Sequence, residues 1–474
     1  MPRIAIVGAG IAGLNAALTL QDAGLSCSIY EASNRIGGRM HSETTAWADN
    51  MVSEWCGEFI DGSHETLHQL TRRFGLKTVD LEGEGSDRSQ NVLYLFNRYY
   101  LMEDLAPDFQ KLQAILQQQM HEVGFPTTHD SFTQEGFRLD HLSVYDWIEQ
   151  YVAGGHSTPL GYMLNSGCTG FYGLDTSEQS SLNLLYMFGT QNPTKSSSSA
   201  TPVQGSSKIV GGNQQIPEAI ARTLPEDSIN LSHRLVAIER RSDTLLVLTF
   251  ATADGPLEVH CERAILALPF STLRHIDYQR AGFDALKQAA IEQLGYGTIS
   301  KLTLQFDTPY WYQEGPWPHP TGSFIITDLD IQTLWDTSLG QPGSSGLLVD
   351  YTSGHRGAAY KPSSAYSTTA DSAEVQQYAQ NCLQQLEHVL PGISAHYTGR
   401  AALSYPTGDP NLMGSYSCWR VGQYTQFAGY ERVRQGPIHF AGEHCSIDFQ
   451  GFMEGGTREG ARAAKEIVQD LMPA

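Results

Sequence analysis

The chain has 474 residues, 30 Lys+Arg against 51 Asp+Glu for a formal net charge of -21 at pH 7, and 41% hydrophobic residues. That length exceeds one compact core and predicts two or three domains, while the apolar content excludes disorder over most of the chain. So acidic a surface repels phosphate backbones and anionic headgroups, which argues against nucleic acid or a membrane surface as partner and leaves cationic small molecules compatible.

Residues 3–7 form an apolar strand, followed by Gly8-Ala9-Gly10-Ile11-Ala12-Gly13, a helical stretch over 14–23, a stop at Gly24 and a second strand over 26–30 ending at Glu31. This is a complete βαβ dinucleotide unit. Gly8 makes the tight strand-to-helix turn, Gly10 lets backbone approach a pyrophosphate, and Gly13 lets the helix pack on the sheet. The helix N-terminus then offers partial positive charge to the phosphates, and Glu31 stands where a carboxylate accepts hydrogen bonds from a ribose diol.

From about 64 to 195 the pattern is mainly helical, with stretches over 109–120 and 142–151. Residues 194–207 are Ser-rich, broken by Pro202 and Gly205, and read as a long loop. A short helix is expected over 216–223, strands near 230–240, 244–251 and 263–268, further strands over 300–306 and 346–351, and a helix over 372–390. The last part returns to strand (438–441), Gly-rich turn and helix (451–471). Seven cysteines, at 27, 56, 168, 261, 382, 418 and 445, show no CxxC pair and no metal-ligand spacing, so reduced thiols, no bound metal and a cytoplasmic location are expected. No stretch resembles a secretion signal or a membrane span.

The quoted segments extend into a family pattern. After the fingerprint comes Glu31-Ala32-Ser33-Asn34-Arg35-Ile36-Gly37-Gly38-Arg39, and near the end Phe440-Ala441-Gly442-Glu443 precedes Gly451-Phe452-Met453-Glu454-Gly455. With these, the chain resembles the flavin-dependent amine oxidases, the group of monoamine oxidases, polyamine oxidases and L-amino-acid oxidases. The resemblance implies an α/β fold in which a Rossmann-type FAD-binding domain is built from discontinuous segments, 1–63, 208–280 and 431–474. An α+β substrate domain with a mixed sheet and helices (64–207 and 281–430) is inserted between them, and the site lies at their interface.

It also implies site residues. Gly8, Gly10, Ile11, Ala12, Gly13, Glu31, Ala32, Arg35, Gly38 and Arg39 would hold the dinucleotide, with Val236 meeting the adenine through its backbone. Gly57, Glu58 and Phe59 would run along the flavin ring, and Gly442, Glu443, Gly451, Phe452 and Met453 would form the turn and helix start beneath it. Tyr405 stands where a tryptophan is usual. Gly414 falls about where monoamine oxidases carry their flavin-linking cysteine, so the FAD is expected to be non-covalent. Lys301, in Leu294-Gly295-Tyr296-Gly297-Thr298-Ile299-Ser300-Lys301, matches a lysine presented to a water near flavin N5; an ammonium inside an apolar strand needs a partner. Phe452, Tyr416 and Trp419 are the candidate aromatic walls that orient the amine. Phe171 and Tyr172 are candidate pocket residues.

The reaction implied is transfer of a hydride equivalent from the amine-bearing carbon to FAD, then hydrolysis of the imine, with O2 reduced to H2O2 in an oxidase; a dehydrogenase using a quinone stays open. An L-amino acid, a basic one such as L-arginine included, is the expected substrate, with a primary-amine or polyamine oxidase as the alternative. The arginine that L-amino-acid oxidases place in the 54–61 segment is missing, so Arg420 or Arg138 would have to grip a carboxylate. Glu58 could bind a cationic group or be structural, and Asp61 and Asp448 are further acids near the motifs. A related flavoprotein such as a carotenoid desaturase, or a non-catalytic flavin-binding protein, remains as a reading from another class. A homodimer is the assembly left open.

Overall fold

A computed structural model describes residues 4–81, 91–189, 206–318 and 324–472. The Ser-rich stretch 194–207 lies almost entirely outside the described residues.

Five parallel strands form the first sheet, in the order Ile438–Phe440, Arg263–Leu266, Ile4–Val7, Ser28–Tyr30 and Ile229–Asn230. They come from the start, the middle and the end of the chain. Helix Ile11–Asp22 follows the first strand and packs against the C-terminal helix Met453–Leu471. Gly460 sets that approach, since a Cβ there would lie 2.1 Å from Ala12 O, and Gly13 lets the first helix seat on its own turn, where a Cβ would lie only 1.9 Å from Gly8 O. Gly8 itself has φ +102, open to glycine at no steric cost.

The second large sheet is mixed and holds eight strands, ordered Tyr366–Thr368, Tyr397–Ser404, Ser300–Phe306, Gly346–Thr352, Thr333–Asp336, Ile325–Thr327, Val92–Leu95 and Arg98–Leu101. Its neighbours are antiparallel except Ile325–Thr327, which runs parallel to Val92–Leu95. Helix Ala373–Val389 covers one face with an apolar stripe of Val375, Ala379, Leu383 and Leu386. A separate four-stranded sheet carries Arg234–Ser242 beside Leu245–Thr252.

Helices Met102–Val123, Val144–Tyr151, Pro159–Tyr172 and Ser181–Phe188 occupy the part read as helical. The hairpin Val92–Leu95/Arg98–Leu101 within that region differs from the helical reading. Its apolar run of four, Val92-Leu93-Tyr94-Leu95, is fully buried and has no alternation, so periodicity could not separate it from a helix. Among the described residues no helix is long and apolar enough to cross a membrane.

Candidate active site

One cavity of about 560 Å3 runs from the first βαβ turn to the eight-stranded sheet. At one end Gly8, Gly10, Ile11 and Ala12 line it, with Glu31, Ala32, Arg35, Gly38, Arg39 and Val236. Glu31 is oriented by three donors: Ala9 N at 2.7 Å, and Ser33 N and Oγ both at 2.8 Å. Arg35 Nη1 donates to Gly38 O at 2.9 Å, which closes the Gly37-Gly38 loop on itself. A Cβ on Gly10 would meet only Gly38 Cα, at 4.0 Å, whereas one on Gly38 would lie 3.2 Å from Gly10 Cα, so the two glycine segments approach closely. Gly13 does not line the cavity; it sits beneath the turn, as its contact with Gly8 O requires.

Midway, Arg39 Nη1 donates to Glu443 at 2.8 Å and to Ser415 O at 2.9 Å. Glu443 further accepts from Ser417 N, Ser417 Oγ and Gly451 N. Burial pushes its carboxyl up, but Arg39 and these donors outweigh that and hold it below the usual range. Ser415 Oγ, Gln450 Nε2 and both ring nitrogens of His444 are buried in this wall without a hydrogen-bond partner. Unpaired buried polar atoms are costly and rare, so a ligand with hydroxyls and phosphates is what this wall fits. The glycine cradle, the oriented Glu31 and these atoms together match an FAD. They would hold its phosphates, ribose and sugar chain, leaving the ring toward the sheet.

The far end is built by Gly57, Glu58, Phe59, Phe171, Lys301, Phe324, Trp335, Tyr351, Tyr416, Gly451, Phe452 and Met453. Phe452 meets Phe171 and His64 edge-on. Tyr416 Oη donates to Gly170 O at 2.9 Å. Trp335 packs against Tyr351, Phe59 and Phe324. Lys301 and Glu58, both buried, form an ion pair of 2.5 Å. The other oxygen of Glu58 faces Thr337 Oγ1 at 2.5 Å and Lys208 Nζ at 3.3 Å. Burial raises the Glu58 carboxyl, yet the two lysines outweigh it and bring it to about 2. Of the two readings of Glu58, structural carboxylate or binder of a cationic group, its pairing with Lys301 and Lys208 matches the first.

Several expected residues sit elsewhere. Trp419 does not line the cavity; its Nε1 donates to the buried Glu431 at 3.0 Å and its ring packs on Tyr424. Tyr172 is turned the other way from Phe171 and donates to Asn183 O. Tyr405 lies beside the lining residues Ser404 and Pro406 without joining them. Arg420 pairs with Glu178 at 3.4 Å, Arg138 with Glu135 at 2.5 Å and Asp448 with Arg458 at 3.4 Å, all three half-exposed and outside the cavity. Asp61 does line it, accepting from Ser206 Oγ at 2.7 Å. Sequence reasoning missed Tyr351, Trp335, Phe324, Lys208 and Thr337, which carry no local motif, and His444, which the Glu443 motif adjoins.

The chain matches the family of flavin containing amine oxidoreductases over residues 11–468. It is 25% identical to an L-amino-acid oxidase of Mus musculus, covering 98% of this chain and 70% of that protein. It is 24% identical to a putrescine oxidase of Kocuria rosea, covering 98% and 95%. Among solved structures it is similar to the cyclohexylamine oxidase from Brevibacterium oxydans IH-35A, with a TM-score of 0.82 at 20% identity over 99% of each chain. A nucleotide cradle fed by three stretches of chain, and a match along nearly all of its length, place this chain in the flavin containing amine oxidoreductase family, with FAD as its cofactor.

Proposed function

We propose that the protein oxidises primary amines that carry an apolar body and no carboxylate. The observation that carries this reading is the far end of the cavity. Its charged pair, Lys301 and Glu58, is internally compensated, and aromatic rings make up most of the remaining wall. The arginines lining the described cavity are Arg35, Arg39 and Arg234, each already bonded to backbone or side-chain oxygens near the nucleotide loops. Among the described residues a substrate carboxylate thus has no free guanidinium to meet, and the expectation of L-arginine loses its two candidate anchors, Arg420 and Arg138, to the surface.

Bound FAD supplies the two-electron acceptor. The protein's own residues do the rest. Phe452 and Tyr416 form walls that orient the amine, and Phe171 with Trp335 encloses its apolar part. Burial of this end excludes water and favours the neutral amine over the ammonium. Overall, one primary amine, one dioxygen and one water give one carbonyl compound, one ammonia and one hydrogen peroxide. We further propose that the flavin is held without a covalent bond. Gly414 offers no thiol, and Cys56, the lining cysteine, has its thiol pushed up by burial. Acid precipitation should then release all of the flavin.

The test is anaerobic mixing of the yellow protein with phenethylamine, with its carboxylated counterpart L-phenylalanine, and with putrescine, following loss of visible absorption. Bleaching by phenethylamine well ahead of the other two is expected. Faster bleaching by L-phenylalanine would sink the reading in favour of an amino-acid oxidase, and by putrescine in favour of a diamine oxidase.

A further inference from the structure

Lys301 sits on the strand Ser300–Phe306, Glu58 in the loop after Ser53–Glu54, and Lys208 on the short strand Ser207–Ile209. These three elements converge behind the wall at which the flavin ring is expected. Lys301 and Glu58 line the cavity; Lys208 does not. Lys208 Nζ donates to Thr337 O at 2.9 Å and Thr337 Oγ1 at 3.0 Å, and Thr337 Oγ1 donates to Glu58. Glu58 thus spends one oxygen on Lys301 and the other on the Lys208 and Thr337 pair. A buried ammonium with one carboxylate partner and an aromatic face, Trp335 at 5.6 Å, has its position set by that carboxylate.

We propose that Glu58 and Lys208 are positioning residues for Lys301: Glu58 fixes its ammonium at the cavity wall, and Lys208 with Thr337 fixes Glu58. The inference rests on flavin binding and is independent of the amine preferred. Other groups facing the cluster are Glu54, Cys56, Tyr351 and Asp336. Burial raises all four, Glu54 to about 8. Removing the Glu58 charge leaves two ammoniums in one buried site, and one of them must lose its proton as pH rises.

The experiment is the reduction potential of the bound flavin, measured in the FAD-loaded protein by dye equilibration between about pH 6 and 9, the range a buried uncompensated lysine crosses. Lys301→Met gives the reference line, below wild type throughout. Glu58→Gln should start at or above wild type and fall toward the Lys301→Met line with rising pH. The expected drop relative to wild type is at least tenfold in the reduction equilibrium, about 30 mV for a two-electron couple. Lys208→Met should lie below wild type without that crossing, and Lys208→Arg should restore the wild-type line. A purely structural role for Glu58 would leave Glu58→Gln parallel to wild type, and that result overturns the proposal. Thr337→Val removes one bond to Glu58 and gives a second reading; it should shift the wild-type line in the Glu58→Gln direction, and an unshifted line counts against the proposal.

Discussion

The hydroxyls of Tyr351 and Tyr416 lie 3.0 Å apart, and because Tyr416 Oη donates its proton to Gly170 O, the bond between the two tyrosines runs from Tyr351 to Tyr416. Tyr416→Phe therefore strands both the Gly170 carbonyl and the Tyr351 proton, whereas Tyr351→Phe removes only a donor. Thermal melts should show the first variant losing ~1–3 kcal/mol and the second about 1 kcal/mol. Tyr416→Ala, which also removes the wall, should lower kcat/KM on the order of tenfold or more, ~1.4 kcal/mol per decade.

Gly10 and Gly13 separate cofactor binding from folding. A Cβ at 10 enters open space, so Gly10→Ala should fold with native circular dichroism yet hold flavin on the order of tenfold more weakly, ~1.4 kcal/mol. A Cβ at 13 meets backbone at 1.9 Å, so Gly13→Ala should lose both the fold of the first unit and the flavin. Equal flavin content in wild type and Gly10→Ala would remove position 10 from the cradle.

Glu54 gives a pH signature. It is buried, accepting from Asn213 N and Ser42 Oγ, and burial raises its carboxyl from 4.5 to about 8. Between these values the folded state holds a proton that the unfolded state has released, so stability from this group is present below 4.5 and is lost as pH climbs to about 8. Glu54→Gln should flatten the decline of melting temperature across that window. A variant with the wild-type slope would exclude Glu54 as its source.

Trp419→Phe tests placement against sequence. Its indole proton satisfies Glu431, so the variant should lose ~1–3 kcal/mol of stability by leaving that acceptor buried without its donor. KM and kcat for a reactive amine should stay within roughly twofold, since the indole touches no part of the cavity. A large change in kcat alone would return Trp419 to the active site.

The nucleotide end was legible because its parts are contiguous in sequence: a strand, a glycine turn, a helix and an acid follow one another within residues 4–31. The far end was legible only in part. Tyr416 and Trp419 flank the short strand Ser417–Cys418, and an odd separation on extended chain sends two side chains to opposite faces. Phe171 and Tyr172 are consecutive at a helix end, where neighbours diverge by about 100° and only one can face a cavity. Tyr351, Trp335 and Phe324 meet because of strand order, and no local spacing announces an order in which residues 92–94 pair with 325–327. Lys208 is seen as a partner of Glu58 only once residues separated by 150 positions are brought together.

The parallel sheet that carries the first glycine turn also includes Ile438–Phe440, and the cavity wall is closed by residues between Gly442 and Gly456. During synthesis the cradle at the amino end would therefore emerge hundreds of residues before its counterpart. Flavin capture is thereby tied to synthesis of the segment between about residues 438 and 456, and a chain stalled before about residue 440 should stay colourless.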